Sequence, residues 1–142
     1  MVTLLRLRNR HDLTPFAGAN LVYGAYDLQI TPSASAWGER LLVLNTPIIE
    51  YFVQSFVDER LRTDPDVSPL WADLTGMPPA LFTVGTEDPL IDDSHLMFER
   101  WIAAGNKAEL AVYPGGAHGF DAFPLAIADE ALTRMYEFLK SC

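Results

Sequence analysis

Two short apolar runs frame this chain. Ala80 to Gly85 follows the breaker pair Pro78-Pro79, and Glu109 to Tyr113 is closed by Pro114-Gly115-Gly116. Between them Asp92-Asp93-Ser94 supplies N-cap chemistry for a helix whose apolar stripe is Leu96, Phe98, Trp101 and Ile102, ended by Gly105-Asn106. Strand, helix, strand in that order is a right-handed crossover, and strands joined this way run parallel. The fold class is therefore α/β.

The rest of the chain fits the same plan. Gly18 to Gly24 is a third apolar run bounded by glycines, suited to a buried strand at 19 to 23. Residues 2 to 10 have helical periodicity with no N-cap before them, as if the chain began inside an element. A last helix is expected from near Pro124, with Ala128, Ala131, Leu132, Met135, Phe138 and Leu139 packed on the sheet. Residues 31 to 77 differ. They hold turn formers at Thr31-Pro32-Ser33, a helix start at Thr46-Pro47, and a helix with Ile48, Ile49, Phe52, Val53, Phe56 and Val57, apolar on every side. Such a helix is either buried from several directions or contacts a substrate, so 31 to 77 is expected to form a crossover contributing to a cap.

Composition narrows the possible partners. With 142 residues, 49% of them hydrophobic, the chain can bury a core of its own. Its net charge of -9 argues against nucleic acid or an anionic membrane surface, which need a positive field. Arg6, Arg8 and Arg10 read as the solvated face of a helix whose other face carries Val2, Leu4 and Leu5. The single cysteine, Cys142, allows no disulfide framework, and three scattered histidines do not suggest a metal or other cofactor. No apolar run reaches the ~18 residues of a membrane span, and no signal-peptide layout opens the chain. If Met1 is the native start, this points to the cytoplasm.

The chemistry concentrates after two of the strands. Asp88, in Thr-Glu-Asp-Pro-Leu, lies just beyond one strand, and His118, in Gly-Gly-Ala-His-Gly-Phe, follows thirty positions later beyond the next. Ligands of parallel sheets gather at the carboxyl ends of the strands, so both side chains emerge on one edge. A carboxylate there can hold one imidazole nitrogen while the other takes a proton from a hydroxyl nucleophile. Glu87, Asp92 and Asp93 compete for the acid, although Asp92 and Asp93 suit helix capping, and Asp121 suits capping of the last helix. Adjacent Ser94 and His95 point about 100° apart on a helix and cannot form a nucleophile–base pair. His11, at the end of the first helix, suits the dipole there. None of Ser33, Ser35, Ser55, Ser68, Ser94 and Ser141 stands in Gly-x-Ser-x-Gly.

Four ordered motifs carry a family resemblance. Asp64-Pro65-Asp66-Val67-Ser68-Pro69-Leu70, Leu74-Thr75-Gly76-Met77-Pro78-Pro79-Ala80, Gly85-Thr86-Glu87-Asp88-Pro89-Leu90 and His118-Gly119-Phe120 together resemble the C-terminal half of hormone-sensitive-lipase-like carboxylesterases of the α/β-hydrolase superfamily. The resemblance implies that Asp88 is the triad acid, that His118 is the general base, and that the three strands are the last of an eight-stranded sheet. It places the nucleophile and oxyanion motifs in a preceding half, with residues 1 to 10 running on from the nucleophile turn. The expected function is thus a serine-type carboxylic ester hydrolase fragment taking a small, fairly apolar acyl ester, with Phe52, Phe56, Leu90 and Phe120 as pocket candidates. Lacking the serine, which is worth ~10⁶ in rate, the chain alone is expected to be a poor catalyst. An uncovered edge at strand 19 to 23 would favour self-association or pairing with the missing half. The alternative function is a non-catalytic, oligomerising or binding module built from the same parts.

Overall fold

A computed structural model describes residues 1–142. The elements are α1 (Val2–His11), β1 (Ala19–Val22), α2 (Pro32–Ala36), α3 (Thr46–Phe56), β2 (Ala80–Glu87), α4 (Ile91–Ala103), β3 (Ala108–Ala117) and α5 (Ala126–Ser141), with 3-10 turns at Glu59–Leu61, Pro69–Trp71 and Phe120–Ala122. The three strands form one parallel sheet in the order β1-β2-β3.

The central strand explains the packing. Every residue from Ala80 to Gly85 is buried, as expected for a parallel strand covered on both faces. Alternate side chains serve opposite layers. Ala80 and Phe82 face a core built with Leu5, Tyr26, Met97 and Trp101, whereas Leu81 joins Ala111, Tyr113, Phe120, Ala131 and Met135 beneath α5. Trp101 sits edge-on to Phe82 at 5.7 Å, and its indole N–H donates to Pro78 O at 3.1 Å, so the largest buried side chain leaves no polar atom unpaired.

The helices and β3 depart from the sequence pattern at several positions. On α4 the buried side chains are Asp93, Ser94, Met97 and Trp101, while Leu96 and Ile102 are exposed. Positions 93, 94, 97 and 101 share one helical face, and that face is the one turned inward. α5 starts at Ala126 and buries Ala128, Ala131 and Met135 with Phe138 alongside; Leu132 and Leu139 face solvent. Pro114-Gly115-Gly116 does not close β3, which continues to Ala117 through an irregularity. The arginines of α1 do more than solvate a face. Arg6 and Arg10 both reach Asp66, and Arg8 donates to Thr75 O and, at 2.7 Å, to Asp73 O, fastening α1 to the segment that leads into β2.

Within residues 31 to 77, α2 and α3 pack beside Leu90 past the carboxyl end of β2, whereas Leu70, Ala72, Leu74 and Met77 join the core that leads into its amino end. Pro32 begins a short helix where only a turn was expected. Asn45 caps α3 by accepting from Ile48 N–H at 3.0 Å, and Thr46 Oγ1 donates to Ala34 O at 2.6 Å, tying α3 to α2. Of the apolar residues on α3, Ile49 and Val53 pack with Leu28, Ala34 and Leu90, while Tyr51, Phe52 and Phe56 stay exposed.

Candidate active site

The two strands that deliver the site are out of step by design. Up to Gly85↔Tyr113 the register between β2 and β3 is offset by 28 positions; at Glu87↔Ala117 it is 30. Pro114, Gly115 and Gly116 thus oppose the single residue Thr86. Because side chains alternate with period two, adding two residues keeps every side chain on its face. The new offset brings position 118 level with position 88. Glycine is required at the step. A Cβ on Gly85 would stand 1.9 Å from Gly116 O, while Gly115 has φ of 75° and donates its N–H to Thr86 Oγ1 at 2.9 Å.

Asp88 is wholly buried, and both of its oxygens are engaged. Oδ1 accepts from Leu90 N–H at 2.9 Å, which locks the Asp-Pro turn, and Oδ2 lies 3.0 Å from His118 Nδ1. An ionised carboxylate can only accept, so the imidazole hydrogen resides on Nδ1 and Nε2 keeps a free lone pair. The His118 side chain is one-fifth exposed, at 21%. A buried acid holding a partly exposed histidine is the arrangement needed to receive a proton from a hydroxyl and stabilise the resulting imidazolium.

His118 opens onto a groove of about 320 Å³ lined by Ala25, Leu28, Ile49, Phe52, Phe56 and Leu90, together with Leu44 and Val53. Three of the four pocket candidates, Phe52, Phe56 and Leu90, therefore reach the groove. Phe120 does not. It is 1% exposed and packs on Tyr113 under the sheet, so the structure places it in the core. The competing carboxylates are occupied elsewhere. Glu87 pairs with Arg40 at 2.6 Å on the surface. Ser94, a hydroxyl and not an acid, is fully buried on the inner face of α4.

Asp92 and Asp93 do not cap α4, although they lie in its first turn. Asp93, deeply buried, accepts from Tyr26 N–H (2.6 Å), Asp27 N–H (3.0 Å) and Thr31 Oγ1 (2.7 Å). Asp92 Oδ2 accepts from Ser33 N–H at 2.8 Å, and Ser33 Oγ donates to Pro89 O at 2.7 Å. Ser68 Oγ accepts from Leu28 N–H at 2.9 Å, and Leu70 N–H donates to Tyr26 O at 2.9 Å. These bonds pin the chain after β1, which carries Ala25 and Leu28, against the turn that carries Asp88. Burial pushes the Asp93 carboxyl above its ordinary value, outweighing the three hydrogen bonds that favour its anion.

Asp121 is likewise not a helix cap: it accepts from Tyr23 Oη at 2.6 Å, and the Tyr23 ring meets the His118 ring at 4.6 Å. Sequence patterning took Tyr23 only as the end of a strand. Its neighbour Gly24 hints at a turn, but nothing local reveals the approach to a residue 95 positions away.

A parallel sheet whose successive strands deliver a buried acid and a histidine to one edge defines an α/β hydrolase. A model of the α/β-hydrolase fold matches residues 1–122, and the chain belongs to that family. It is 30% identical over 141 residues to a protein named esterase from Acinetobacter venetianus, covering 96% of this chain and 46% of that one. Its fold matches a hyperthermophilic esterase from the archaeon Pyrobaculum calidifontis with a TM-score of 0.91 at 28% identity, over 99% of this chain and 48% of the other. It also matches a hormone-sensitive lipase from a metagenome library, with a TM-score of 0.91, 26% identity and coverage of 99% and 48%. The likeness to the C-terminal half of hormone-sensitive-lipase-like esterases that the four motifs carry therefore stands, and the chain spans about half the length of the relatives it matches.

Proposed function

We propose that this chain supplies the acid and the base of a serine-type carboxylic ester hydrolase, with the nucleophile on a segment outside these 142 residues. The observation that carries the reading is the 3.0 Å contact between buried Asp88 and His118 at the mouth of an apolar groove. His118 Nε2 accepts the serine proton as the hydroxyl oxygen attacks the ester carbonyl carbon. The same nitrogen then returns the proton to the departing alkoxide, leaving an acyl-serine. Water, deprotonated by His118 in turn, attacks the acyl carbon, the bond to the serine oxygen breaks, and His118 returns the proton to that oxygen as the acid departs. Asp88 remains a carboxylate throughout and holds the Nδ1–H. The groove bounded by Phe52, Phe56 and Leu90 suits a short apolar acyl or alcohol group.

The test is hydrolysis of p-nitrophenyl butyrate by this chain mixed with the N-terminal half of a related esterase. Activity that appears on mixing and vanishes with His118→Ala supports the reading; a folded assembly inert toward all short-chain p-nitrophenyl esters overturns it.

One observation favours a second reading, an oligomerising module without catalysis. β1 pairs only with β2, so its other side has no strand partner within this chain. That reading gains if a stable assembly persists unchanged with Asp88 and His118 both replaced by alanine and never hydrolyses an ester.

A further inference from the structure

One hydrogen bond does not orient an imidazole. The Asp88 contact fixes Nδ1, yet the ring can still swing about that point. A second grip comes from β1. Tyr23, immediately after that strand, has φ of 34°, a left-handed backbone that strains a residue with a bulky side chain. The conformation lays its ring at 60° to the His118 ring with centroids 4.6 Å apart. Tyr23 is itself anchored, because Oη donates to Asp121 Oδ1 at 2.6 Å. Asp121 belongs to the 3-10 turn that His118 enters through Gly119, whose φ of 72° reverses the chain. Thus His118, its own loop and Tyr23 form a closed circuit between β1 and β3. Burial raises the phenol pKa, and the Asp121 hydrogen bond and charge raise it further, so the hydroxyl keeps its proton and remains a donor.

We infer that Tyr23, anchored by Asp121, is a positioning residue for His118 that stops the imidazole from swinging about its Asp88 hydrogen bond and so aims Nε2 into the groove. The grip on the ring stands on geometry alone; its consequence for turnover rests on the ester-hydrolase reading above.

The experiment reads the His118 ring directly, by 15N-resolved NMR of the Nδ1–H proton and its exchange with solvent, in the 142-residue chain. Tyr23→Phe and Asp121→Ala each remove the anchor with little change in packing, and Tyr23→Leu removes the ring. Exchange is expected to rise about threefold to tenfold in the first two and further in the third, with the backbone spectrum otherwise retained. If Tyr23→Leu fails to fold, the other two variants decide. Wild-type exchange in both would overturn the inference. In the mixed assembly, Tyr23→Phe is expected to lower kcat on p-nitrophenyl butyrate by a similar factor with KM unchanged, and an unchanged kcat would overturn the positioning role. A wild-type assembly that hydrolyses nothing, with the ring held as expected, would defeat the ester-hydrolase reading and leave the grip on His118 intact.

Discussion

The charges that matter most in this molecule are held singly, each surrounded by donors. Asp88 has one donor for each oxygen, so Asp88→Asn preserves shape but presents an amide where His118 needs an acceptor. The imidazole is then stabilised in the wrong tautomer, and in the proposed ester-hydrolysing assembly kcat should fall about 10³- to 10⁴-fold with little change in KM, as steady-state kinetics would report. Asp93 predicts a different observable. Its folded pKa lies above the unfolded value of about 3.9, so the folded state binds the proton more tightly. The stability this provides is complete below about pH 4 and is lost as pH rises through the folded pKa. Asp93→Asn does not titrate. The stability of wild type relative to that variant, measured by urea denaturation across mildly acidic pH, should therefore decline as pH rises. A flat difference would mean that the three donors balance burial.

At the scale of elements, the step between β2 and β3 is the feature on which the site depends. Gly85→Ala forces a methyl group against Gly116 O, and the strands must part or the step must be lost. A cost of about 3 kcal/mol in urea unfolding is expected, together with a weakened Asp88–His118 contact. The exposed face of α3 behaves in the opposite way. Phe52 and Phe56 are 59% and 69% exposed, so Phe52→Ala and Phe56→Ala should leave stability within about 0.5 kcal/mol while raising KM for apolar esters in the proposed ester-hydrolysing assembly. Much of this level was legible in the sequence. Apolar runs bounded by Pro and Gly marked all three strands; the run is fully buried only in β2, which is covered on both faces, whereas β1 and β3 bury alternate residues. The position of Asp88 and His118 past successive strands followed from the crossover rule. What escaped was non-local. Asp92, Asp93 and Asp121 carry the residue type of helix caps, and local chemistry alone assigns them so. Their actual partners lie at Ser33, at Tyr26 to Thr31 and at Tyr23, and only the folded chain brings those together. Phe120 was misjudged for a related reason. Following His118 in sequence suggests the pocket, but the left-handed Gly119 turns it under the sheet.

At the scale of the whole molecule, the strand order leaves β1 with a single neighbour while exposed aromatic side chains decorate α3. A chain of this kind should associate with itself, and light scattering at micromolar concentration should give a mass above that of the monomer. Addition of the N-terminal half of a related esterase should replace the self-assembly with a mixed complex. The same sheet carries a consequence in time. β2 and β3 are joined across 28 positions, whereas Ala19 of β1 pairs with Ala80 across 61. The longer loop alone adds only about 0.7 kcal/mol of closure entropy. However, the chain that follows β1 is held only once Tyr26, Asp27 and Thr31 have reached Asp93 and Leu28 has reached Ser68. Pulse-labelled hydrogen exchange during refolding should accordingly protect the amides of β2 and β3 before those of β1. Until β1 arrives, the most apolar strand of the molecule has a bare flank, and the interval before docking is the period in which a crowded solution can capture it.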